Sequence, residues 1–483
     1  MNARLDFWSI FSLIFLITAI PVAILIVLEK RSPYKTIAWI LVLILLPITG
    51  IIFYLFFGQE FRKRKLYSRK GIKSLGKFRR LSLQQVHQFE QKNKILDEKV
   101  QDKLKIIRLL LNNSDSLLTT GNDIKIYNSG KETFDAIFKA LHDARHHIHL
   151  EYYILANDKI GNKNKNILIE KRKEGIEVRV IVDDVGSWSI SKKFISELRS
   201  AGVLIFSFME VRFPRLTSRA NYRNHRKILV IDGKIGFTGG VNIADRYIEG
   251  AKGIGPWRDA HLKIVGDAVA CMQVIFAGDW YFVSRRNLTG KKYFPPLTES
   301  NGIPVQISAS GPDSDWESIG QAFFLAIASA KEKVYITTPY LMPPIQFISA
   351  LKTIALSDVD VRIVIPGKSD TIMPKWSSLS YIEELLEAGV KIYFYKAGFI
   401  HSKSIIVDDN FSSVGSTNLD FRSIETNFEI NTFIYDKSFT NRLEKIFFDD
   451  LANSELILLN EWRKRPWHHK LRESLAHIIS PML

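Results

Sequence analysis

HRKILVIDGKIGFTGGVN at residues 225–242 and HSKSIIVDDNFSSVGSTN at residues 401–418 are two versions of one pattern, His-x-Lys-x4-Asp-x6-Gly-(Gly/Ser)-x-Asn. The first sets His225, Lys227, Asp232, Gly239, Gly240 and Asn242; the second, 176 residues on, sets His401, Lys403, Asp408, Gly415, Ser416 and Asn418. One match can arise by chance, whereas two with the same spacings, each followed by a similar acidic segment, point to a duplicated unit. Residues i and i+2 of a strand project from one face, so His225 points with Lys227 and His401 with Lys403. The runs Ile228–Ile231 and Ile405–Val407 read as buried strands that end at Asp232 and Asp408 in Asp-Gly and Asp-Asp-Asn turn chemistry. That position weights both aspartates toward turn stabilisation over direct catalysis.

The duplication extends upstream in the same order. ARHHIHLEYYI (144–154) parallels AKEKVYITTPY (330–340), GIEVRVIVDD (175–184) parallels DVDVRIVIPG (358–367), and LRSAGVLIF (198–206) parallels LLEAGVKIYF (385–394). Short β-branched runs alternate with helix-like runs such as Asn164–Glu174 and Lys192–Ser200, which predicts an α/β fold with a mostly buried sheet in each copy. His146, His147 and His149 form the one tempting metal cluster. With Glu151 as the sole acidic neighbour, packing or a polar rim is favoured, and no metal site is expected. Cys271, the single cysteine, lies in an apolar run; it excludes an intrachain disulfide and reads as core.

The first sixty residues differ in kind. Phe7–Leu28 and Ile37–Phe57 are nearly uncharged and each has about the 20 residues needed to cross hydrocarbon, so they read as a two-helix transmembrane hairpin that tolerates Pro21 and Pro47. After it come Arg62, Lys63, Arg64, Lys65, Arg69, Lys70, Lys73, Lys77, Arg79 and Arg80 with no acidic residue between them, which places the following body on the cytoplasmic face. Lys30, Arg31 and Lys35 in the connecting turn weaken this orientation without reversing it. The formal net charge of +17 suits nucleic acid or an anionic membrane surface. The membrane hairpin favours anionic lipid, and no nucleic acid is expected as partner. From Trp462 to Leu483 cations mix with Trp467, Leu471, Leu475 and Ile478, the composition of a segment in a membrane interface or of a helix docked on the body.

With its paired signatures the chain resembles the phospholipase D superfamily, and within it the bacterial cardiolipin synthases. RSPYKTIAWILVLILLPITGIIFYLFFG (31–58), TPYLMPP (338–344), WRDAHLKIVGDAV (257–269), FRSIETNFEIN (421–431) and the final SPML narrow the resemblance to the synthases, and it covers nearly the whole chain. It implies two phospholipase D-like α/β domains packed around one shared active site. One imidazole attacks phosphorus to give a phosphohistidine, and the other protonates the leaving oxygen and then deprotonates the incoming hydroxyl. By resemblance His225 is the nucleophile and His401 the acid/base. Lys227 and Lys403 hold the phosphoryl oxygens with Asn242, Asn418, Ser416 and Gly240, and Asp232 and Asp408 complete the two signatures. Asp259 and Glu429 orient the histidines. Gly240, where the second copy has Ser416, raises the question of whether both halves contact phosphate alike. Neither metal nor other cofactor is implied.

The expected reaction is phosphatidyl transfer between two phosphatidylglycerol molecules, giving cardiolipin and glycerol at the bacterial cell membrane. A phospholipase D that passes the phosphatidyl group to water uses the same residues, and a membrane-tethered nuclease is the more distant alternative. The expected organisation is an anchor at 1–60, a basic, helix-prone cytoplasmic connector at 61–113, phospholipase D-like domains at 114–300 and 301–460, and a basic amphipathic segment at 461–483.

Overall fold

The computed structural model describes residues 7–28, 33–54, 73–91, 98–211, 221–295 and 302–482. Two compact units emerge: residues 1–66 with 211–222, and residues 67–210 with 223–483. The larger unit is a pair of mixed α/β sheets. The first half supplies β1 (Asn122–Ser129), β2 (His147–Tyr152), β3 (Glu177–Asp183), β4 (Leu204–Phe208), β5 (Lys227–Ile231), β6 (Ile235–Gly239) and β7 (Trp257–Gly266). The second supplies β8 (Val305–Ser310), β9 (Lys333–Thr337), β10 (Asp360–Pro366), β11 (Lys391–Tyr395), β12 (Ser404–Val407), β13 (Phe411–Gly415) and β14 (Glu429–Ile434).

The duplication holds strand for strand. The first sheet runs β1-β7-β6-β5-β2-β3-β4 and the second β8-β14-β13-β12-β9-β10-β11. In both, the last three strands are parallel and the others pair antiparallel. The parallel strands are linked through helices, Lys159–Lys173 between β2 and β3 and Ile345–Ala355 between β9 and β10, as parallel crossovers require. The strands that carry the signatures, β5 and β12, are buried along their whole length because helices cover both faces, and their Ile/Leu/Val runs are the sequence form of that burial.

Each half reaches into the other's sheet, one with a short strand and the other with a single bridge. Phe399–Ile400, just before His401, pairs parallel with Trp257–Arg258 of β7, while Asn224, just before His225, bridges in parallel to Phe428 ahead of β14. The segment before β1 also belongs to the second sheet, since Leu118–Thr119 pairs with β8. The helix Leu104–Ser114 buries Ile106, Ile107, Leu110 and Leu111, and the side chain of Gln306 donates to Ile107 O and Ser116 O. Lys103 reaches the Asp408 carboxylate at 3.0 Å. This stretch, read from sequence as a polar connector, is therefore in part a packed element of the second half.

In the smaller unit, helices cover Phe7–Leu28, Pro33–Leu45 and Pro47–Phe53. Ile26, Leu43 and Tyr54 are buried together, with Trp39 edge-on to Tyr54 at 5.5 Å. Sequence reading runs one helix from Ile37 to Phe57. The helix instead breaks at Leu46 (φ −130°, ψ 72°) and restarts at Pro47, which has no N–H to continue the ladder and suits a helix's first position. Among the described residues no helix is long and apolar enough to cross a membrane, and in the first helix side chains are described from Thr18 onward. The basic run Arg62–Lys70 lies outside the described residues.

Arg226, between His225 and Lys227 in sequence, points to the opposite face and ties the halves together. Its guanidinium pairs with Asp279 of the helix Ala268–Ser284 and donates to Glu429 O (3.2 Å) and Ser310 O (3.3 Å), all out of contact with water. Replacing Arg226 with Met leaves Asp279 as an uncompensated buried charge, a loss of about 3–5 kcal/mol. A lowered denaturation midpoint of the catalytic body by circular dichroism is the expected outcome.

Candidate active site

Two backbone contacts set the site. His225 N–H donates to Phe428 O (2.9 Å), and His401 N–H donates to Arg258 O (2.7 Å). The next residue after each acceptor is acidic, and each histidine meets it: His225 Nδ1 lies 3.0 and 3.1 Å from the two Glu429 carboxylate oxygens, and His401 Nδ1 lies 2.7 Å from Asp259 Oδ2. The histidine of each half is thus held by the acid of the other. His225 Nδ1 also faces Ser416 O at 3.1 Å. An N–H is the partner that carboxylate and carbonyl oxygens accept, so the proton sits on Nδ1 and Nε2 keeps its lone pair.

The lysines fold back onto their own histidines, Lys227 Nζ donating to His225 O (2.6 Å) and Lys403 Nζ to His401 O. Both are buried and feel the charges of both acids; Lys227 is also opposed by Lys403, and Lys403 is also drawn by Asp420 and Asp370. Tyr153 stands edge-on to His225 at 5.0 Å with Lys227 over its ring, and Tyr247 and Trp257 flank His401 at 6.0 and 5.3 Å. These aromatic neighbours are absent from the sequence-derived site. In the duplicated segments Tyr153 falls opposite Pro339, so the repeat gives no signal for it.

Gly240 and Ser416 differ because they serve different acids. The Ser416 hydroxyl donates to Glu429 and accepts the Ile430 N–H at 3.0 Å. At Gly240 an added Cβ falls 2.0 Å from Asp259 Oδ1, so the glycine leaves room for the shorter acid to reach His401. Their backbone N–H groups are engaged as well, by Ala260 O and Ile430 O, both at 2.9 Å. The asymmetry between the two signatures therefore lies beneath the histidines rather than on a phosphate.

The remaining sequence-derived positions fall at some distance. Asp232 and Asp408 sit in left-handed turns (φ 55° and 54°) at the far end of β5 and β12. From Lys227 to Asp232 is roughly 16 Å of extended chain. Asp232 accepts the N–H groups of Arg145, His146 and His147 at 2.7–3.0 Å, and Asp408 those of Lys331, Glu332 and Lys333 at 2.9–3.5 Å. The structure does not bring either to the histidines. Asn242 is nearer but engaged, donating to Tyr247 OH at 2.5 Å and accepting from Ile154 N–H at 3.2 Å. Asn418 bonds Asp420 and leaves its Oδ1 without a partner. His147 and His149 are buried at the opposite end of β2. His149 stacks on Phe276 (4.6 Å) and contacts Gln273, and among the described residues no group of side chains could hold a metal ion.

The family described as "cardiolipin synthase, PLD-like domain" matches the chain twice, over residues 137–264 and 324–451, and "phospholipase D-nuclease N-terminal" matches residues 5–59. The cardiolipin synthase of Alkalihalophilus pseudofirmus is 43% identical over 98% of this chain and 93% of its own. The chain belongs to the cardiolipin synthase family. Cardiolipin synthase 2 of Bacillus anthracis is 41% identical over 97% of this chain and 91% of its own, and the cardiolipin synthase of Staphylococcus aureus is 38% identical over 98% and 97%. The phosphatidylserine synthase of Haemophilus influenzae shares the fold, with TM-score 0.61 at 15% identity over 80% of this chain and all of that one. As a cardiolipin synthase of the phospholipase D type the chain is an enzyme, a phosphatidyltransferase.

Burial sets the electrostatics of this synthase site. It lowers the His225 imidazole against the pull of Glu429, and it lowers His401 much further, with Lys403 and Lys227 adding to the effect. Both rings rest neutral. Burial also brings Lys227 down to about 7 and Lys403 down to about 8, and raises Asp259 to about 6. Below pH about 6 Asp259 takes a proton and loses the charge that holds the His401 N–H; above about 7 Lys227 loses its charge, followed by Lys403 near 8. In free enzyme kcat/KM should therefore fall on both sides of a narrow optimum between these values, and a pH-rate profile of Asp259→Asn should lack the acid limb.

Gly240→Ala pushes the Asp259 carboxylate off His401, and kcat should fall by about 10^2-fold or more if this imidazole works as histidines held by an acid do elsewhere. Ser416→Ala removes one hydrogen bond to Glu429 and should cost about tenfold. Steady-state rates of the two variants, with circular dichroism to verify folding, check the ranking.

Proposed function

We propose that the enzyme condenses two phosphatidylglycerol molecules into cardiolipin and glycerol through a phosphohistidine. The observation that carries the reading is the crossed pair of histidine–carboxylate contacts enclosing two buried lysines. His225 Nε2 attacks phosphorus, the bond from phosphorus to the glycerol oxygen breaks, and His401 supplies the proton to the departing glycerol. The terminal hydroxyl of the second lipid then gives its proton to His401 and attacks the same phosphorus, and the phosphorus–nitrogen bond breaks. One phosphodiester replaces another, so the balance needs neither water nor a nucleotide. His225 is preferred as nucleophile because three oxygens, two from Glu429 and one from Ser416, surround its Nδ1 and aim Nε2 at the substrate. Lys227 and Lys403 neutralise the phosphoryl oxygens. Asp232 and Asp408 are assigned to holding the strand ends through backbone amides, with Asn242, Asn418, Gly240 and Ser416 supporting the site from beneath.

The division at 1–60, 61–113, 114–300, 301–460 and 461–483 belongs to the same reading. Its first segment is a two-helix membrane anchor and its catalytic body faces the cytoplasm of a bacterial cell membrane. The uncharged runs Phe7–Leu28 and Ile37–Phe57, the match of residues 5–59 to the phospholipase D-nuclease N-terminal family, and the cations from Arg62 to Arg80 support it.

Purified full-length enzyme with radiolabelled phosphatidylglycerol in mixed micelles should yield cardiolipin and free glycerol by thin-layer chromatography. Phosphatidic acid as sole product would assign the enzyme to hydrolysis instead. His225→Ala and His401→Ala should each lose at least about 10^3-fold in turnover, as members of one catalytic unit do; near-normal turnover by either variant removes the shared-site reading.

A further inference from the structure

The last long helix of the chain, Trp467–Ile478, is folded with its apolar side outward. Glu473, 5% exposed, faces the body and is clasped by Arg465 through two hydrogen bonds of 2.6 and 2.9 Å, beside buried Ala476. Trp467, Leu471, Leu475 and Ile478 are 74%, 48%, 58% and 73% exposed. At 3.6 residues per turn these four fall within about 80° of one another, one continuous stripe. A helix held by a polar face that leaves its tryptophan, leucines and isoleucine in contact with water gains nothing from them in folding. Such a stripe marks a surface completed by another apolar phase.

Its position and charge say which phase. The helix lies parallel to Ile372–Ser380, with Trp376 against His469 and Ser380 Oγ against His477 Nδ1 at 3.0 Å. Ile372 and Met373, 74% and 45% exposed, open that second helix on the Trp467 side. They follow directly from the end of β10, on the edge of the sheet where the catalytic lysine lies: Thr337 pairs with Ser404, the residue after Lys403, Thr338 N–H donates to Val364 O, and Tyr340 OH donates to Asp370. Lys470 and Arg472 flank the stripe on its two sides, with exposed Lys375 beside Trp376. A tryptophan at one end, aliphatic side chains along one face and cations on the flanks are complementary to the acyl boundary and the headgroups of an anionic bilayer.

We propose that the face formed by Trp467, Leu471, Leu475 and Ile478 with Ile372 and Met373 seats the catalytic body on an anionic phospholipid surface and brings the catalytic edge of the second sheet to the lipid. This placement is independent of which lipid reacts and of how the amino-terminal unit is held. The full chain is reconstituted in nanodiscs of phosphatidylglycerol with phosphatidylcholine, or of phosphatidylcholine alone, with a nitroxide on Leu475→Cys or Ile478→Cys. Buried Cys271, its thiol pushed up to about 12, leaves the introduced cysteine as the labelling site.

Oxygen should replace the water-soluble nickel complex as the dominant collider of both labels in the anionic discs. A label on Asn441→Cys, exposed near the far end of β12, should stay aqueous. Labels that remain aqueous in the anionic discs overturn the proposal, as does dipolar broadening between two copies, which assigns the stripe to a dimer contact. Leu475→Asp with Ile478→Asp should raise KM on anionic vesicles by about 10^2-fold or more, the loss of two immersed aliphatic side chains, with kcat/KM on detergent-dispersed short-chain lipid unchanged. An unchanged vesicle KM also overturns it.

Discussion

Two backbone hydrogen bonds, His225 N–H to Phe428 O and His401 N–H to Arg258 O, govern the rest of the catalytic body. Each fixes the register between the residue that enters one half's signature strand and a strand of the other half, β14 or β7, and a register is all that is needed to decide which side chain faces which. With the acceptor one residue before the acid, Glu429 and Asp259 arrive at Nδ1 of the opposite histidine. A slip of one residue would turn each carboxylate to the other face of its strand and leave an imidazole unheld. Neither half can make this site alone. Arg226, reaching Asp279, Glu429 O and Ser310 O, secures the join from behind.

Within that pseudo-twofold frame the two histidines stand in different surroundings. His225 meets a glutamate that Ser416 steadies through its hydroxyl; His401 meets an aspartate admitted by the missing side chain of Gly240. A shorter acid beside a glycine, or a longer acid steadied by a serine, each reaches Nδ1 of its ring. The exchange explains why a small difference between the signatures can coexist with two well-held imidazoles. It also separates the two electrostatically, since His401 is lowered further than His225 by the lysines around it.

Much of this was legible in the chain. The α/β class and the duplication follow from repeated β-branched runs at matching intervals, and the strands at β5 and β12 follow from apolar runs between the lysines and the aspartates. The family was readable from the paired signatures and the segments around them. The crossing was not. His225 lies 204 residues from Glu429 and 142 separate His401 from Asp259, and no local pattern encodes pairing at that range. Gly240 likewise read as a lost hydroxyl, because a close approach to Asp259 exists in three dimensions only. The basic, helix-prone character of 61–113 hid the four residues by which Leu104–Ser114 packs, and the carboxy-terminal helix could be recognised as amphipathic without any sign of which side it would turn to the protein.

The charges of the site make sense only with the substrate counted among them. Two lysines and two carboxylates balance, and two neutral imidazoles add nothing, so the buried cluster is near neutrality before lipid arrives. Burial nevertheless holds both lysines below their ordinary values, which means that without an anion the ammonium groups are barely retained. A phosphodiester entering between them brings one negative charge into a dry region, where the attraction is far larger than in water. It raises the lysines back toward full protonation and favours a further proton on an imidazole. The anion itself thus draws in a proton that a departing alkoxide can take. On this account the low proton affinity of the resting site is a condition of the chemistry: it leaves the imidazoles unprotonated until the substrate's own charge draws the catalytic proton in.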